Sequence, residues 1–422
     1  MFDLDKWQEI FSAIKKNKMR TFLTAFGVFW GIFMLVIMLG SGKGLQNGIT
    51  KGFGDFATNS IFMWSRTTTE PYNGLPGGRR WNLRNSDIEA LRNSINEIEY
   101  IAPRLQAWGG EGSNNVVRNQ NTGAFYIHGD YPEWNLIDPV EMVHGRYLNH
   151  YDIIEKRKVA VIGTRVSEVL FDEGEDPIGE YIRIKDVFFQ VVGVFKPRST
   201  DVNFGGDKTE SIHIPLPTLQ QVYNYGDIIG MFAFTAKPGV PVSVLEEKAL
   251  TLIKRRHTIA PNDAEAVGYF NMEKQFNQMV GLFFGINTLI WIVGVGTLLA
   301  GVIGISNIML VIVKERTKEI GIQRAIGASP FKIMSQVITE SVFLTTVAGY
   351  IGLVIGVALV ELINFALMQG GEGGSNMFHN PQVDFGVAMN ALVILIVSGA
   401  VAGLIPARKA VSIKPIDALR YE

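Results

Sequence analysis

The sequence predicts an α-helical membrane protein with four transmembrane helices and a large extracytoplasmic α+β domain between the first and the second. Three observations predict it. Hydrophobic residues make up 47% of the chain and charged residues only 19%, and the apolar residues are gathered into four long runs. Lysine and arginine cluster on flanks that fall on one side of those runs. The long stretch between the first two runs has a different character: short β-branched and aromatic segments separated by turn residues and helix-start signals. The net charge is −1, so no global field points to nucleic acid. There is no cysteine, which removes disulfide and thiolate chemistry.

Residues 1–21 place Trp7, Ile10, Phe11 and Ile14 on one helical face with lysines opposite, the pattern of an amphipathic helix lying along the inner membrane surface. The run FLTAFGVFWGIFMLVIML that follows carries no charge and meets the roughly 20-residue requirement of a bilayer. Lys15, Lys16, Lys18 and Arg20 before it would also suit a signal peptide, but GSGKGLQNG after it holds no small-x-small cleavage pattern, so 22–41 reads as an uncleaved first span.

Residues 280–313 form the second run. A helix of that length would reach about 50 Å at 1.5 Å per residue, more than the ~30 Å hydrocarbon core. Its first turns, with Asn287 and Trp291, are therefore expected to rise out of the bilayer as a stalk. A charged loop, 314–337, leads to the third span, 338–363. A short outer loop, 364–386, leads to the fourth, 387–407, and the chain ends in a tail, 408–422.

Direction follows from the short flanks. Lys6, Lys15, Lys16, Lys18 and Arg20 precede the first span; Lys314, Arg316, Lys318, Arg324 and Lys332 follow the second; Arg408, Lys409, Lys414 and Arg420 follow the fourth. Asn364 to Gly386 carries neither residue type. These flanks agree on cytoplasmic termini, with 42–279 outside. No Asp, Glu, Lys or Arg lies in the middle of a span, which argues against an ion-coupled transporter. Gly281 and Gly285, Gly352 and Gly356, and Gly399 and Gly403 are GxxxG pairs that let helices approach closely, with an oligomer seam as one use.

The outer stretch reads as two βαβ-like halves around a β-rich piece. In the first half TNSIFMWS is a strand, Ser86 to Glu89 a capping box opening a helix, and IEYIAPRLQAW a returning strand. In the second half MFAFTAK, a capping box at Ser243 to Glu246, a helix to about Arg256 and AEAVGYFNM repeat the plan. Between them, over about 131–228, KVAVIG, YIRIK and VFFQVVGVF read as strands, with a helix over 164–171. The stretch PYNGLPGGRRW (71–81) reads as a mobile exposed loop in which Arg79, Arg80 and Trp81 are the residues able to touch a partner. His144 and His150 lie near Asp152 without metal-ligand spacing and read as surface residues. Neither GxSxG nor HExxH occurs.

Residues 314–326 favour helix, and Gly327 followed by Pro330 marks its end. Acid–base pairs alongside Ile320, Ile322, Ala325 and Ile326 exceed what a topogenic loop needs, and a surface helix with an apolar edge suits a docking partner.

The stretch ERTKEIGIQRAIGAS resembles the signature between the second and third spans of the MacB/FtsX-type ABC transporter permeases. The tail PARKAVSIKPIDALRYE and the entry KNKMRTFLTAFGVFWG are similar to the same family's ends. GDYPEWNLI, GRYL, VAVIGTRVSEVLF and DPIGEYIRI resemble its MacB-like periplasmic domain, which implies a split porter-like βαβ subdomain with an inserted β-rich subdomain. The resemblance further implies that Glu315, Arg316, Glu319, Ile320, Gly321, Arg324, Ala325 and Gly327 form a coupling helix that contacts an ATPase. It implies an inner-membrane permease working as a dimer with a second copy or homologue, moved by ATP hydrolysis in a cytoplasmic ABC ATPase subunit. Its output would be mechanotransmission to the periplasmic domain, for efflux of drugs, peptides or other substrates through a membrane-fusion adaptor and an outer-membrane channel. The FtsX-like branch would instead activate a cell-wall hydrolase, and a lipoprotein-releasing branch would extract lipoproteins. A membrane-anchored sensor without an ATPase is the third reading, disfavoured by the coupling-like loop.

Macrolide-exporter relatives often carry their ATPase ahead of the first span. Here the nearest P-loop-like stretch is GSGKG at 40–44, with Ile37 in place of the first glycine and Gly44 in place of Ser or Thr, so the loop cannot cradle phosphates as a Walker A motif does. The chain is expected to be no enzyme itself and to hold no cofactor or metal, ATP being bound by the partner ATPase.

Overall fold

The computed structural model describes residues 18–53, 56–107, 115–198, 206–369, 380–382 and 385–413. Residues 1–17 of the amphipathic helix expected over 1–21, most of the 364–386 loop and the tail from 414 onward lie outside the described residues. The chain divides into two units, Lys51–Val280 on the one hand and Met1–Thr50 with Gly281–Glu422 on the other.

The chain enters on helix α1 (Lys18–Phe53). The α/β unit then follows. Its first half runs β1 (Ser60–Ser65), β2 (Leu83–Arg84), α2 (Asn85–Ser94) and β3 (Ile98–Gln106). Its middle runs β4 (Asn115–Arg118), β5 (Asn121–Ala124), β6 (Tyr126–Asp130), α3 (Trp134–Ile137), β7 (Val140–Gly145), α4 (His150–Ile154), β8 (Val159–Gly163), α5 (Thr164–Leu170), β9 (Tyr181–Ile184), β10 (Val187–Pro197), β11 (Ser211–Pro215) and α6 (Leu216–Val222). It closes with β12 (Ile228–Ile229), β13 (Met231–Ala236), α7 (Val242–Arg256) and β14 (Val267–Asn271).

Both βαβ halves are present, and they interleave. In the order β14-β1-β13-β3, all neighbours pair antiparallel. Hence β1 and β3 run parallel with β13 between them, and β13 and β14 run parallel with β1 between them. This is a pair of split β-α-β units. The β-rich piece is not a separate sheet. β3 pairs with β6, Arg104 opposite Asp130, and the ladder continues through β11, β8, β10, β9, β4 and β5 as one 12-stranded sheet. The β4–β5 hairpin, ahead of residue 131, sits beside β9 through Val116 opposite Ile184. One apolar core, with Ile61, Leu91, Leu105, Ile127, Ile162, Phe189 and Phe234 buried, runs under the whole sheet.

Both helix starts in this unit differ from the expected capping boxes. α2 begins at Asn85, and Asp87 accepts the Arg84 amide at 2.9 Å. α7 begins at Val242, whose amide donates to Glu273 at 2.8 Å, while Ser243 and Glu246 bind the side-chain amide of Asn271. In each case an acid outside the expected pair satisfies the orphan donor that every helix start presents.

Among the described residues the helical unit has four helices long and apolar enough to cross a membrane: Ala25–Thr50 within α1, α8 (Met272–Glu315), Pro330–Leu367 within α10 (Pro330–Gln369), and Met389–Val411 within α11 (Phe385–Val411). The short helix α9 (Thr317–Ala325) lies between α8 and α10. At 44 residues, α8 spans about 66 Å, long enough for a span and a stalk.

The GxxxG pairs divide. A methyl group on Gly352 would sit 2.6 Å from the Phe29 carbonyl oxygen, and one on Gly356 3.0 Å from Val36. One on Gly399 would sit 3.0 Å from the Val342 Cα and one on Gly403 3.1 Å from the Ile338 Cα. These pairs therefore let α10 approach α1 and α11 approach α10 at backbone distance. Gly281 and Gly285 meet nothing within 4 Å.

Candidate functional site

The charged segment after α8 folds as a bend, a helix and a stop. Arg316 (φ −94°, ψ 15°) leaves helical geometry, yet its amide still donates to Ile312 and its carbonyl accepts from Ile320. The chain therefore turns without losing its ladder. At the far end Gly327 takes φ +102°, a conformation that favours glycine. Its amide donates to Arg324, and the Ala328 amide to Gln323, the paired bonds of a Schellman stop. Ser329 then caps α10 by accepting the Lys332 amide at 3.3 Å, with Pro330 as the first helical residue.

The side chains divide between two faces. Ile320 and Gly321 are buried, and Ile320 packs in one cluster with Ile333, Val337, Ala407 and Ala410. Arg316 donates to Glu319 and to Glu340, both at 3.0 Å. Arg324 donates to the carbonyls of Val411 and Ile413 at 2.6 Å each. Of the residues expected at the site, Glu315, Glu319, Ala325 and Gly327 remain on the exposed face. There Ile322 and Ile326, two residues of the expected apolar edge, are 42% and 82% exposed, and the structure adds Phe331 at 76%. Phe331 was missed in the sequence, where it sits one residue inside the next helix and reads as part of its apolar run. Lys314, Lys318 and Lys332 complete the exposed charged surroundings.

This face offers apolar surface within a ring of mixed charge, the makeup of a docking surface. Among the described residues no group of three or more His, Cys, Asp or Glu could hold a metal ion. The GSGKG stretch lies inside α1, where its amides serve the helix ladder and present no loop to a phosphate.

The other singled-out residues are structural. Asp152 is buried, accepts from Arg146 at 2.6 and 3.1 Å, and accepts the Asn149 amide. The loop expected to be mobile over 71–81 is tied at its end: Arg79 donates to the His257 and Thr258 carbonyls, and the buried Trp81 ring nitrogen donates to Ala266. Asp263 organises the same corner. Burial pushes its carboxyl up, but the Thr69 and Glu70 amides, the Thr69 hydroxyl and the Glu265 amide outweigh this and hold its pKa down at about 2. Only Arg80 of the three loop candidates stays exposed.

Residues 21–252 match the family model of the MacB-like periplasmic core domain, and residues 291–415 that of the FtsX-like permease C-terminal region. A macrolide export ATP-binding/permease protein MacB of Chlorobaculum tepidum is 31% identical, covering 98% of this chain and 61% of its own length. One from Bdellovibrio bacteriovorus is 28% identical, with coverage of 98% and 61%. A pyoverdine export ATP-binding/permease protein PvdT of Pseudomonas savastanoi pv. phaseolicola is 30% identical, with coverage of 99% and 60%. The chain thus spans about three-fifths of the length of the curated relatives it matches. The crystal structure of the periplasmic region of MacB from Actinobacillus actinomycetemcomitans is 18% identical with a TM-score of 0.43, covering 54% of this chain and 94% of that one.

Proposed function

The chain belongs to the MacB/FtsX family of ABC transporter permeases, and from that premise we propose that it is the membrane subunit of an exporter driven by a separate cytoplasmic ATPase. The observation that carries this reading is the exposed apolar cluster of Ile322, Ile326 and Phe331 beside Glu315 and Glu319. Three large apolar side chains at the end of a charged helix are costly in water and favourable under a partner.

In this reading both termini and α9 face the cytoplasm, as the lysine and arginine flanks require, and the α/β unit lies in the periplasm. Closure of the ATPase pair presses on α9. The displacement travels along α8 and α1, the two helices continuous in sequence with the α/β unit, and changes that unit's shape. No Asp, Glu, Lys or Arg marks the middle of a span, which supports work done on the outer unit rather than passage of a polar substrate through the bilayer. The chain works as a dimer, with a membrane-fusion adaptor and an outer-membrane channel receiving material from the periplasm. The names of the relatives, macrolide export and pyoverdine export, support a small-molecule cargo.

The test is the double charge reversal Glu315→Lys with Glu319→Lys, in membranes containing the ATPase that co-purifies with the wild-type chain. Stimulation of ATP hydrolysis is expected to fall while insertion and folding stay intact. Full stimulation by the double variant would refute the docking assignment.

A further inference from the structure

The sequence assigns α9 to a docking helix and its movement to the helix before it. The contacts of α9 describe something more constrained. Its start is tied by Arg316 to Glu340, a residue about three turns into α10. The two side chains are only 17% and 7% exposed, and a buried charge whose partner is removed is strongly penalised, so neither separates readily. Its end is tied by Arg324, whose Nη1 donates to the Val411 and Ile413 carbonyls at 2.6 Å each. α11 stops at Val411, so these carbonyls belong to a helix end that has no internal donor left and carries partial negative charge. Between the two ties, Ile320 lies in one buried cluster with Ile333 of α10 and Ala407 of α11.

We propose that α9 is a strut fastened at both ends, Arg316 to α10 and Arg324 to the end of α11, so that a displacement imposed on α9 is delivered to the third and fourth long helices as one block. That a partner displaces α9 rests on the function proposed above; that α9 is fastened does not. Glu340 and Arg324 are then positioning residues, which fix where the push enters the bundle without touching the partner. Arginine suits both sites because its planar fork addresses two acceptors at once: Arg316 spans Glu319 and Glu340, and Arg324 spans two carbonyls.

The chain has no cysteine, so spin labels can be placed without background. The full chain in lipid nanodiscs is labelled at Lys318→Cys on α9 and Lys409→Cys on α11, both exposed, with a second pair at Lys318→Cys and Lys332→Cys on α10. In the wild-type background both pairs should give narrow distance distributions. Arg324→Gln should broaden the first pair and Glu340→Gln the second, and the swap Arg316→Glu with Glu340→Arg should restore the second. Broad distributions in the wild-type background, or narrow ones in both variants, would overturn the fastening.

With the co-purifying ATPase added, the wild-type distances should hold through the nucleotide cycle. Each single variant should keep ATPase binding yet lose roughly tenfold in coupled transport, the scale of a lost charged hydrogen bond, and the swap should regain it. A shift of α9 against α10 and α11 during the cycle, or full coupling in Arg324→Gln, would overturn the block. Absence of any co-purifying ATPase would instead count against the proposed function and leave the labelling result standing.

Discussion

Arg104 holds Asp130 across the sheet through two hydrogen bonds of 2.6 Å, Nε to Oδ1 and Nη2 to Oδ2, and lays its guanidinium 3.7 Å from the centre of the Trp134 ring. The two residues face each other in the β3–β6 register, the pairing that joins the β-rich piece to the split βαβ units. Trp134 in turn lies in a buried cluster with Phe56, Phe62 and Met272. Phe56 follows α1, and Met272 opens α8.

Removing one partner should be far worse than removing both. Asp130→Ala leaves a buried guanidinium unpaired and is expected to cost about 3–5 kcal/mol, whereas Arg104→Met with Asp130→Leu should cost much less. Denaturant unfolding of the full chain in detergent, followed by tryptophan fluorescence, compares them. Equal losses in the single and double variants would show that the pair is not an isolated buried ion pair.

The same corner should make the α/β unit sensitive to acid. Burial and Arg104 hold His128 well below its ordinary 6.5, and burial, Arg104 and Lys208 do the same for His213. Both rings stay neutral when folded but take a proton when unfolded. Their stabilisation is therefore complete above a pH of about 6.5 and is lost progressively as the pH falls toward the lowered folded values. Unfolding midpoints at pH 8 and pH 5 should differ, and His128→Gln should narrow the difference. An unchanged difference in that variant would clear His128 of the effect.

The glycines of the helical unit should divide as their surroundings do. Gly352→Ala forces a methyl group against the Phe29 carbonyl, an overpacking expected to cost about 1–3 kcal/mol. Gly281→Ala meets open space and should leave stability unchanged or raise it by up to about 1 kcal/mol, since alanine is the better helix former. Thermal stability of the two variants in the same lipid settles the comparison. An equal loss in Gly281→Ala would mean that its face is packed, as by a second copy.

Much of this architecture is legible in the sequence because strong periodic signals set it. The four apolar runs correspond to the four long helices, and β1, β3, β8, β9, β10, β13 and β14 fall on the stretches read as strands. The elements β4 to β7, β11 and α6 were not read, although β7 and β11 are longer than β9; short apolar runs without a sustained period do not stand out in sequence. The continuity of the sheet was also hidden: the Arg104–Asp130 pairing is a long-range choice that no local window contains. In the charged segment, helix and stop were legible from Gly327 and Pro330. Which face would be free was not, since Arg316 and Arg324 are occupied by Glu340 and by the end of α11, acceptors far along the chain. The tied ends of the 71–81 loop illustrate the same limit, for Arg79 and Trp81 find their acceptors at residues 257–266.

A cytoplasmic ATPase can grip α9 only if α9 faces the compartment where ATP is made available. Because the chain lacks cysteine, Ala325→Cys on its exposed face gives a single reactive thiol. A membrane-impermeant maleimide applied to intact cells should leave that thiol unlabelled, and the same reagent applied to inverted membrane vesicles should label it. Labelling from outside intact cells would place α9 beyond the reach of a cytoplasmic ATPase and contradict the account.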